Sequence, residues 1–163
     1  MEGEFKFIRA YHYFNLVRYF GDVVLATKTL TNPNEAFDLV RSPQAEVYKQ
    51  ILADLADASK LLPAKPALKG RASQGAALSL LGKVYLYHGT FDATKFADAA
   101  TTFSEVIGSA QYSLKTGDDY KNLFESSAEN GDESVLKIQY TGVEPAGWSC
   151  IICSEGSYFP KFC

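Results

Sequence analysis

The chain has 163 residues, a length typical of a single domain. Hydrophobic residues make up 47% of it and charged residues 21%, which is a globular composition and argues against an intrinsically disordered chain. The net charge is −3, and the sequence shows no basic patch of the kind that binds nucleic acid.

The first predicted element is a helix over residues 4–20, with apolar residues on more than one side. A helix of that kind is expected to be buried on several sides among other helices. Gly21 is expected to end it, because glycine readily adopts the left-handed conformation that closes many helices. Arg9 and Arg18 are expected to lay their stems along the core and to reach water or a carboxylate.

A second helix is predicted from Ser42 to Leu62. Ser42 is the expected N-cap, and Pro43 occupies the first helical position, where its missing N–H is tolerated. Pro63 stops the helix. The apolar residues recur at helical spacing and form a single stripe, namely Val47, Ile51, Leu55, Ala58 and Leu62.

A third helix is predicted from an N-cap at Ser73 to about His88, and a fourth from Ala93 to Ile107. Small residues in the third helix would let a neighbouring helix approach closely: Gly75, Ser79 and Gly82. Glycine inside a helix costs about 1 kcal/mol relative to alanine, so we expect close packing to offset that cost.

The third helix resembles the first helix of a tetratricopeptide repeat. In the segment GRASQGAALSLLGKVYLYHGTF, residues 70–91, three residues stand where that motif carries its packing residues, namely Leu81, Gly82 and Tyr85. The fourth helix fits the motif only with an insertion. We therefore expect an irregular helical hairpin in which Leu81 and Phe103 are buried and meet.

Beyond the fourth helix, alternating apolar residues predict one strand over residues 134–140. Residues 143–163 show no periodicity. They include Trp148 and Tyr158, which we consider candidates for carbohydrate binding because an aromatic ring stacks on the apolar face of a sugar.

The chain shows no sign of a catalytic or metal centre. The motifs G-x-S-x-G, H-E-x-x-H and the P-loop are absent, so no enzyme is predicted. The two histidines, His12 and His88, stand apart and are expected to have packing or capping roles. The pair Cys150 and Cys153, with Cys163, lacks the further ligands of a zinc site, so neither a metal nor a cofactor is expected.

Three segments in order resemble the SusD/RagB family over roughly residues 5–142: KFIRAYHYFNLVRYFGDV near the start, residues 70–91, and GDESVLKIQY. The resemblance implies an all-α, tetratricopeptide-like helical-repeat scaffold with a short strand near the C-terminus. Members are outer-membrane lipoproteins of Bacteroidetes that bind glycans or other nutrients and pass them to a TonB-dependent transporter of the SusC type. The implied role is non-enzymatic, with a glycan ligand and a transporter partner.

The expected organisation is a scaffold over residues 4–109, made of helical pairs at about 4–62 and 73–107. A loop and strand would continue to residue 142, followed by an irregular tail. No signal peptide or lipid-attachment cysteine is recognisable near the start. Because the family is exported and anchored, we expect the chain to be a piece of a longer outer-membrane lipoprotein.

A second function stays open. The chain could be a free-standing tetratricopeptide-like adaptor that binds peptides in a groove. Such a groove uses convergent cations and amides, whereas the third and fourth helices contribute only Lys83 and Lys95. The sequence therefore favours the scaffold of a nutrient-binding protein over the adaptor.

Overall fold

Four long helices follow one another along the chain, and each packs on the one before it. They are seen in a computed structural model that describes residues 1–68, 70–124 and 130–139. The helices are α1 (Glu2–Phe20), α2 (Gln44–Leu61), α3 (Gln74–His88) and α4 (Lys95–Gly108). Contacts between α1 and α2, α2 and α3, and α3 and α4 dominate the packing. The all-α, tetratricopeptide-like architecture predicted from the sequence is confirmed.

Helix α1 is buried on one side only. The side that faces α2 contains Gly3, Phe7, Ala10, Phe14 and Val17. Several apolar residues on its other sides are exposed, among them Phe5, Ile8, Leu16 and Tyr19. Within the described chain, the prediction of burial on several sides is therefore wrong, because α1 is the outermost layer. The predicted end is confirmed: Gly21 has a φ of 70° and its N–H donates to the Val17 carbonyl.

Helix α2 provides the centre of the core, and every member of its predicted apolar stripe is buried. Its start differs from the prediction by one position. Ser42 does not cap the helix, because it lies in the short strand β2 (Arg41–Ser42), which pairs antiparallel with β1 (Val23–Val24). Pro43 is the N-cap, and the carboxylate of Asp22 accepts the Gln44 N–H at 2.9 Å.

The hairpin of α3 and α4 is built on glycines that receive aromatic rings. Three glycines spaced seven residues apart lie so close to an aromatic side chain that an added Cβ would come within 2.6 to 2.7 Å of its ring. The pairs are Gly75 with Tyr112, Gly82 with Phe103, and Gly89 with Phe96. The close approach predicted from the small residues is thus explained by ring packing.

Leu81 is buried, as predicted, but Phe103 is only half-buried. Its ring packs on Gly82, the residue that follows Leu81 in the sequence. The prediction that Phe103 is buried is therefore wrong, since α4 is the other outermost helix of the described array.

The chain beyond α4 is mostly irregular. A short helix α5 (Asp118–Lys121) leads into a 3₁₀ turn at Asn122–Phe124, and a second 3₁₀ turn, Pro33–Ala36, lies in the loop after α1. The strand predicted over residues 134–140 does not form in its described part, residues 134–139, where no neighbouring strand pairs with it. Among the described residues, no helix is both long and apolar enough to cross a bilayer.

Candidate functional site

A cleft of about 600 Å³ lies at the end of the bundle where α3 begins and α4 ends. Its walls come from three irregular segments: residues 64–73 between α2 and α3, residues 110–112 after α4, and residues 130–137. The regular helices hold these segments in place, because two of the three are the direct continuations of helix ends.

Tyr112 fixes the segment after α4 to the start of α3. Its hydroxyl lies 3.1 Å from the Ser73 hydroxyl, and its ring covers Gly75. Ser73 is the N-cap of α3, as predicted, and accepts the Ala76 N–H at 3.0 Å. One buried serine thus both ends the linker and anchors the opposite wall of the cleft.

Residues 130–139 are held by hydrogen bonds from the segment after α4 and by packing against the linker. The Ser113 N–H donates to the Asp132 carbonyl at 3.1 Å, and the Lys115 N–H donates to the Glu133 carboxylate at 3.2 Å. The side chain of Gln139 packs against Gly70.

The linker wall is tied to α1 by an ion pair. Arg71 donates to both carboxylate oxygens of Glu4, from its Nε at 2.6 Å and from Nη2. Hydrogen bonds from Arg71 lower the pKa of the Glu4 carboxyl, so the pair is ionised at neutral pH. Because its charge is neutralised within the protein, Arg71 is a structural support of the cleft more than an attractant for anions.

Backbone strain is concentrated at this cleft. Among the described residues, positive φ outside glycine occurs at Ala110, with 54°, and Asn130, with 58°, and both line the cleft. Asparagine tolerates the left-handed conformation, whereas alanine adopts it at a cost of about 1–2 kcal/mol. Strained residues of this kind often mark a functional segment.

The lining of the cleft combines the groups that suit a polyhydroxylated ligand. Amide, carboxylate and ammonium groups can exchange hydrogen bonds with sugar hydroxyls, and apolar side chains can cover the C–H faces between them. The polar members include Lys65, Gln111, Asn130 and Asp132, and the apolar members include Pro66, Leu68, Val135 and Leu136. In the described part of the chain, no cluster of three or more His, Cys, Asp or Glu residues could hold a metal ion.

The residues that the sequence singled out lie elsewhere. Trp148 and Tyr158, together with Cys150, Cys153 and Cys163, lie outside the described residues. His88 has the packing role predicted for it, since its ring stacks on the Tyr48 ring with centroids 4.9 Å apart. His12 does not pack in the core and is exposed on α1.

Neither arginine of α1 belongs to the cleft. Arg9 behaves as predicted and reaches the buried carboxylate of Asp54 with contacts of 2.7 and 2.6 Å. Arg18 differs from the prediction: among the described residues it reaches no carboxylate, its guanidinium lies over the rings of Phe14 and Tyr87, and its Nε is buried without a hydrogen-bond partner. Sequence reasoning missed the cleft itself. The only available signal was the cluster of Pro, Gly and Lys between α2 and α3, which indicates a loop but not what faces it.

Comparisons with known proteins identify the family. The profile of a SusD-like family, described as "Starch-binding associating with outer membrane", matches residues 1–86. SusD-like protein P2 of Formosa agariphila is 32% identical over 137 residues, which cover 83% of this chain. The chain belongs to the SusD-like family. It spans 26% of the length of that relative, about a quarter.

Solved structures of SusD-like proteins share the fold of this chain. A SusD homolog from Bacteroides thetaiotaomicron has a TM-score of 0.76 and 32% identity, over 89% of this chain and 29% of that one. A laminarin binding SusD-like protein is 40% identical with a TM-score of 0.69, over 82% of this chain and 29% of its own. The resemblance stated from the sequence is therefore confirmed.

Proposed function

We propose that this chain is the scaffold portion of a SusD-like protein that captures glycans at the outer membrane and docks on a TonB-dependent transporter. The observation that carries the proposal is the match of most of the chain to SusD-like proteins, in sequence and in fold. The role is non-enzymatic: the protein binds its ligand and releases it unchanged to the transporter.

The proposed ligand is a glycan, with a glucan such as laminarin as the first to test. One of the most similar solved structures is that of a laminarin binding SusD-like protein. The cleft adds hydrogen-bonding groups beside apolar surface. It offers little aromatic area for stacking, because Tyr112 is committed to Ser73 and Gly75. Trp148 and Tyr158 remain our candidates for the stacking surface.

Docking on a transporter is the proposed task of the helical array. A stack of helices presents broad, rigid surfaces, which suit contact with a protein more than enclosure of a small sugar. The peptide-groove adaptor is less well supported, since one of its two available cations, Lys95, is already paired with Asp98 at 3.0 Å.

Calorimetric titration with laminarin oligosaccharides, starch fragments and host glycans tests the ligand. We expect binding by the 163-residue chain to be weak or undetectable, because the described cleft lacks a stacking platform. Micromolar binding that Trp148→Ala abolishes would support Trp148 as a stacking residue and would contradict the expectation of weak binding by this chain.

Affinity purification of the tagged chain from its native host tests the partner. The expected result is co-purification of the TonB-dependent transporter encoded beside its gene. The control is the Trp148→Ala variant, in which every exposed residue of the helices is unchanged. It should still co-purify the transporter. If the chain binds glycans tightly and no transporter co-purifies, the docking role is wrong.

A further inference from the structure

The cleft wall formed by residues 130–137 begins with an asparagine that is followed by glycine. Asn130 lies in a turn with a φ of 58°, and Gly131 is exposed to solvent. Because glycine has no Cβ, its backbone nitrogen can approach the side-chain carbonyl carbon of the residue before it. We propose that Asn130 is a site of spontaneous deamidation, a modification that converts a neutral amide of the cleft wall into a carboxylate.

The reaction needs only these two residues and water. The backbone nitrogen of Gly131 attacks Cγ of Asn130 and loses its proton, so that a new C–N bond closes a five-membered succinimide ring. The side-chain nitrogen takes up that proton and leaves as ammonia. Water then opens the ring at either carbonyl, which gives aspartate or isoaspartate at position 130. Nothing is oxidised or reduced, and one water molecule is consumed for each ammonia released.

The other asparagines of the chain lack this combination of a glycine neighbour and an irregular backbone. Each is followed by a residue with a larger side chain or by proline, whose nitrogen has no proton to lose. Each also lies in or directly at the start of a helical segment, whose hydrogen bonds hold the backbone against the rotation that ring closure requires. They are Asn15, Asn32, Asn34 and Asn122. We therefore expect Asn130 to react first.

Gln139 holds the reacting side chain of Asn130 in the folded chain. The two amides exchange hydrogen bonds: Asn130 Nδ2 donates to Gln139 Oε1 at 3.2 Å, and Gln139 Nε2 donates to Asn130 Oδ1 at 3.0 Å. Both polar atoms on the carbon under attack are thereby fixed, so ring closure must wait until this pair opens. Exposed hydrogen bonds of this kind contribute little net stability, so the pair opens locally without unfolding of the helices.

Deamidation removes the donor on which this pair depends. A carboxylate only accepts hydrogen bonds, so it cannot donate to Gln139 Oε1. It also adds a negative charge two residues from Asp132, whose carboxylate lies 3.4 Å from the ammonium of Lys115. The isoaspartate product further lengthens the backbone of the wall by one methylene. We expect the modified wall to separate more readily from the linker at Gly70, against which Gln139 packs.

Peptide mapping by mass spectrometry, after incubation of the chain at mildly alkaline pH, tests the proposal. Asn130 should lose its amide roughly tenfold faster than any other asparagine, as a mixture of aspartate and isoaspartate. Gly131→Ala should slow this loss roughly tenfold, because the added Cβ hinders the attack. Gln139→Ala should speed it roughly threefold, because it removes the pair that must open. The matched control is Gln111→Ala, which changes another glutamine of the cleft and should leave the rate unchanged.

The same measurement in urea separates the role of the fold from that of the sequence. In the unfolded chain, Gln139→Ala and the parent should deamidate at the same rate, because the pair forms only in the folded state. Circular dichroism checks that each variant keeps its helix content in buffer. The proposal is wrong if another asparagine reacts first, or if Gly131→Ala does not slow the reaction. Equal rates for Gln139→Ala and the parent in buffer would overturn the protective role of Gln139.

Discussion

Arg9 and Asp54 form the central polar contact between α1 and α2. Asp54 is buried, and it accepts two hydrogen bonds from Arg9 and a third from Gln50 at 3.0 Å. The side chain of Arg9 keeps about a third of its surface exposed. Hydrogen bonding to Asp54 raises the pKa of the Arg9 guanidinium. Water can therefore reach Arg9 if Asp54 is removed, but it cannot readily reach Asp54 if Arg9 is removed.

That difference predicts unequal effects of removing each partner. Arg9→Met leaves the buried carboxylate without its cation and should lower the free energy of unfolding by about 3–5 kcal/mol. Asp54→Asn leaves a cation that can still reach water and should have the smaller effect, about 2 kcal/mol. Urea unfolding followed by circular dichroism measures both. Equal losses, or a larger loss for Asp54→Asn, would show that Asp54 is hydrated when unpaired.

The ion pair of Glu4 with Arg71 makes stability depend on pH. The pKa of Glu4 lies below its ordinary value of 4.5 in the folded protein, because Arg71 hydrogen-bonds the ionised form. A lowered folded-state pKa stabilises the fold above the ordinary value, and that stabilisation is lost as the pH falls through the lower folded pKa. The pKa of Asp57, which accepts a hydrogen bond from Lys6, is lowered as well and acts in the same direction.

We therefore expect the melting temperature to fall between about pH 5 and pH 3, and to fall less in Glu4→Gln. Glu105→Gln, a change of an exposed carboxylate on α4, is the matched control and should leave the slope unchanged. Thermal melts across this range measure the effect. A slope that is the same in Glu4→Gln and the parent chain would mean that the Arg71 contact is not formed in solution.

At the scale of elements, the packing of α4 on α3 requires a glycine at position 82, where the Phe103 ring approaches the backbone of α3. In Gly82→Ala the new methyl would stand 2.7 Å from the Phe103 ring, so the ring must move. We expect a net loss of about 1 kcal/mol, since overpacking costs roughly 1–3 kcal/mol and alanine returns about 1 kcal/mol of helix propensity. Melting curves of the single variants measure it.

Gly108 provides the matched control for Gly82. It lies at the end of α4, and a methyl group added there would have no neighbouring atom within 4 Å among the described residues, so Gly108→Ala should stabilise the chain slightly. In a Phe103→Leu background, Gly82→Ala should become less harmful, because the ring is gone. Stabilisation by Gly82→Ala in the parent chain would contradict the packing described for the hairpin.

Much of the helical architecture could be predicted because its signals are local. The stripe of α2 follows from helical periodicity alone, and Ser73 and Gly21 carry ordinary cap chemistry. Ser42 also has cap chemistry, but the prediction failed there because pairing of β1 with β2 places Ser42 in extended backbone. That pairing joins residues about 20 positions apart, which no local pattern reveals.

The candidate site was harder to predict because its walls are distant in sequence. The Asp132 carbonyl accepts a hydrogen bond from the segment after α4. Gln139 packs against Gly70, although all of α3 and α4 lie between these two residues in the sequence. None of these residues belongs to a periodic pattern. The predicted strand over residues 134–140 rested on alternation alone, and alternation does not supply the neighbouring strand that a sheet requires.

At the scale of the whole molecule, the core in the part of the chain that the structure describes is built mainly by the helices. Among the described residues, the buried apolar side chains run from Phe7 in α1 to Ala99 in α4, and Val135 packs at the edge of this core. Tyr112 is the main exception, because it covers Gly75 and bonds to Ser73. These contacts support our proposal that residues 4–109 are the scaffold, provided that the chain retains Tyr112.

A chain that ends after Thr116 tests this division. It keeps the four helices and Tyr112 but loses residues 130–139, so we expect the helical content of the scaffold and a cooperative thermal transition. The same truncation with Tyr112→Ala should melt at a lower temperature, because it uncovers Gly75 and leaves the Ser73 hydroxyl with one partner fewer. Loss of cooperative unfolding in the truncated chain that keeps Tyr112 would show that residues 130–139 are part of the folding unit, since α3 and the linker before it would then depend on the third wall of the cleft.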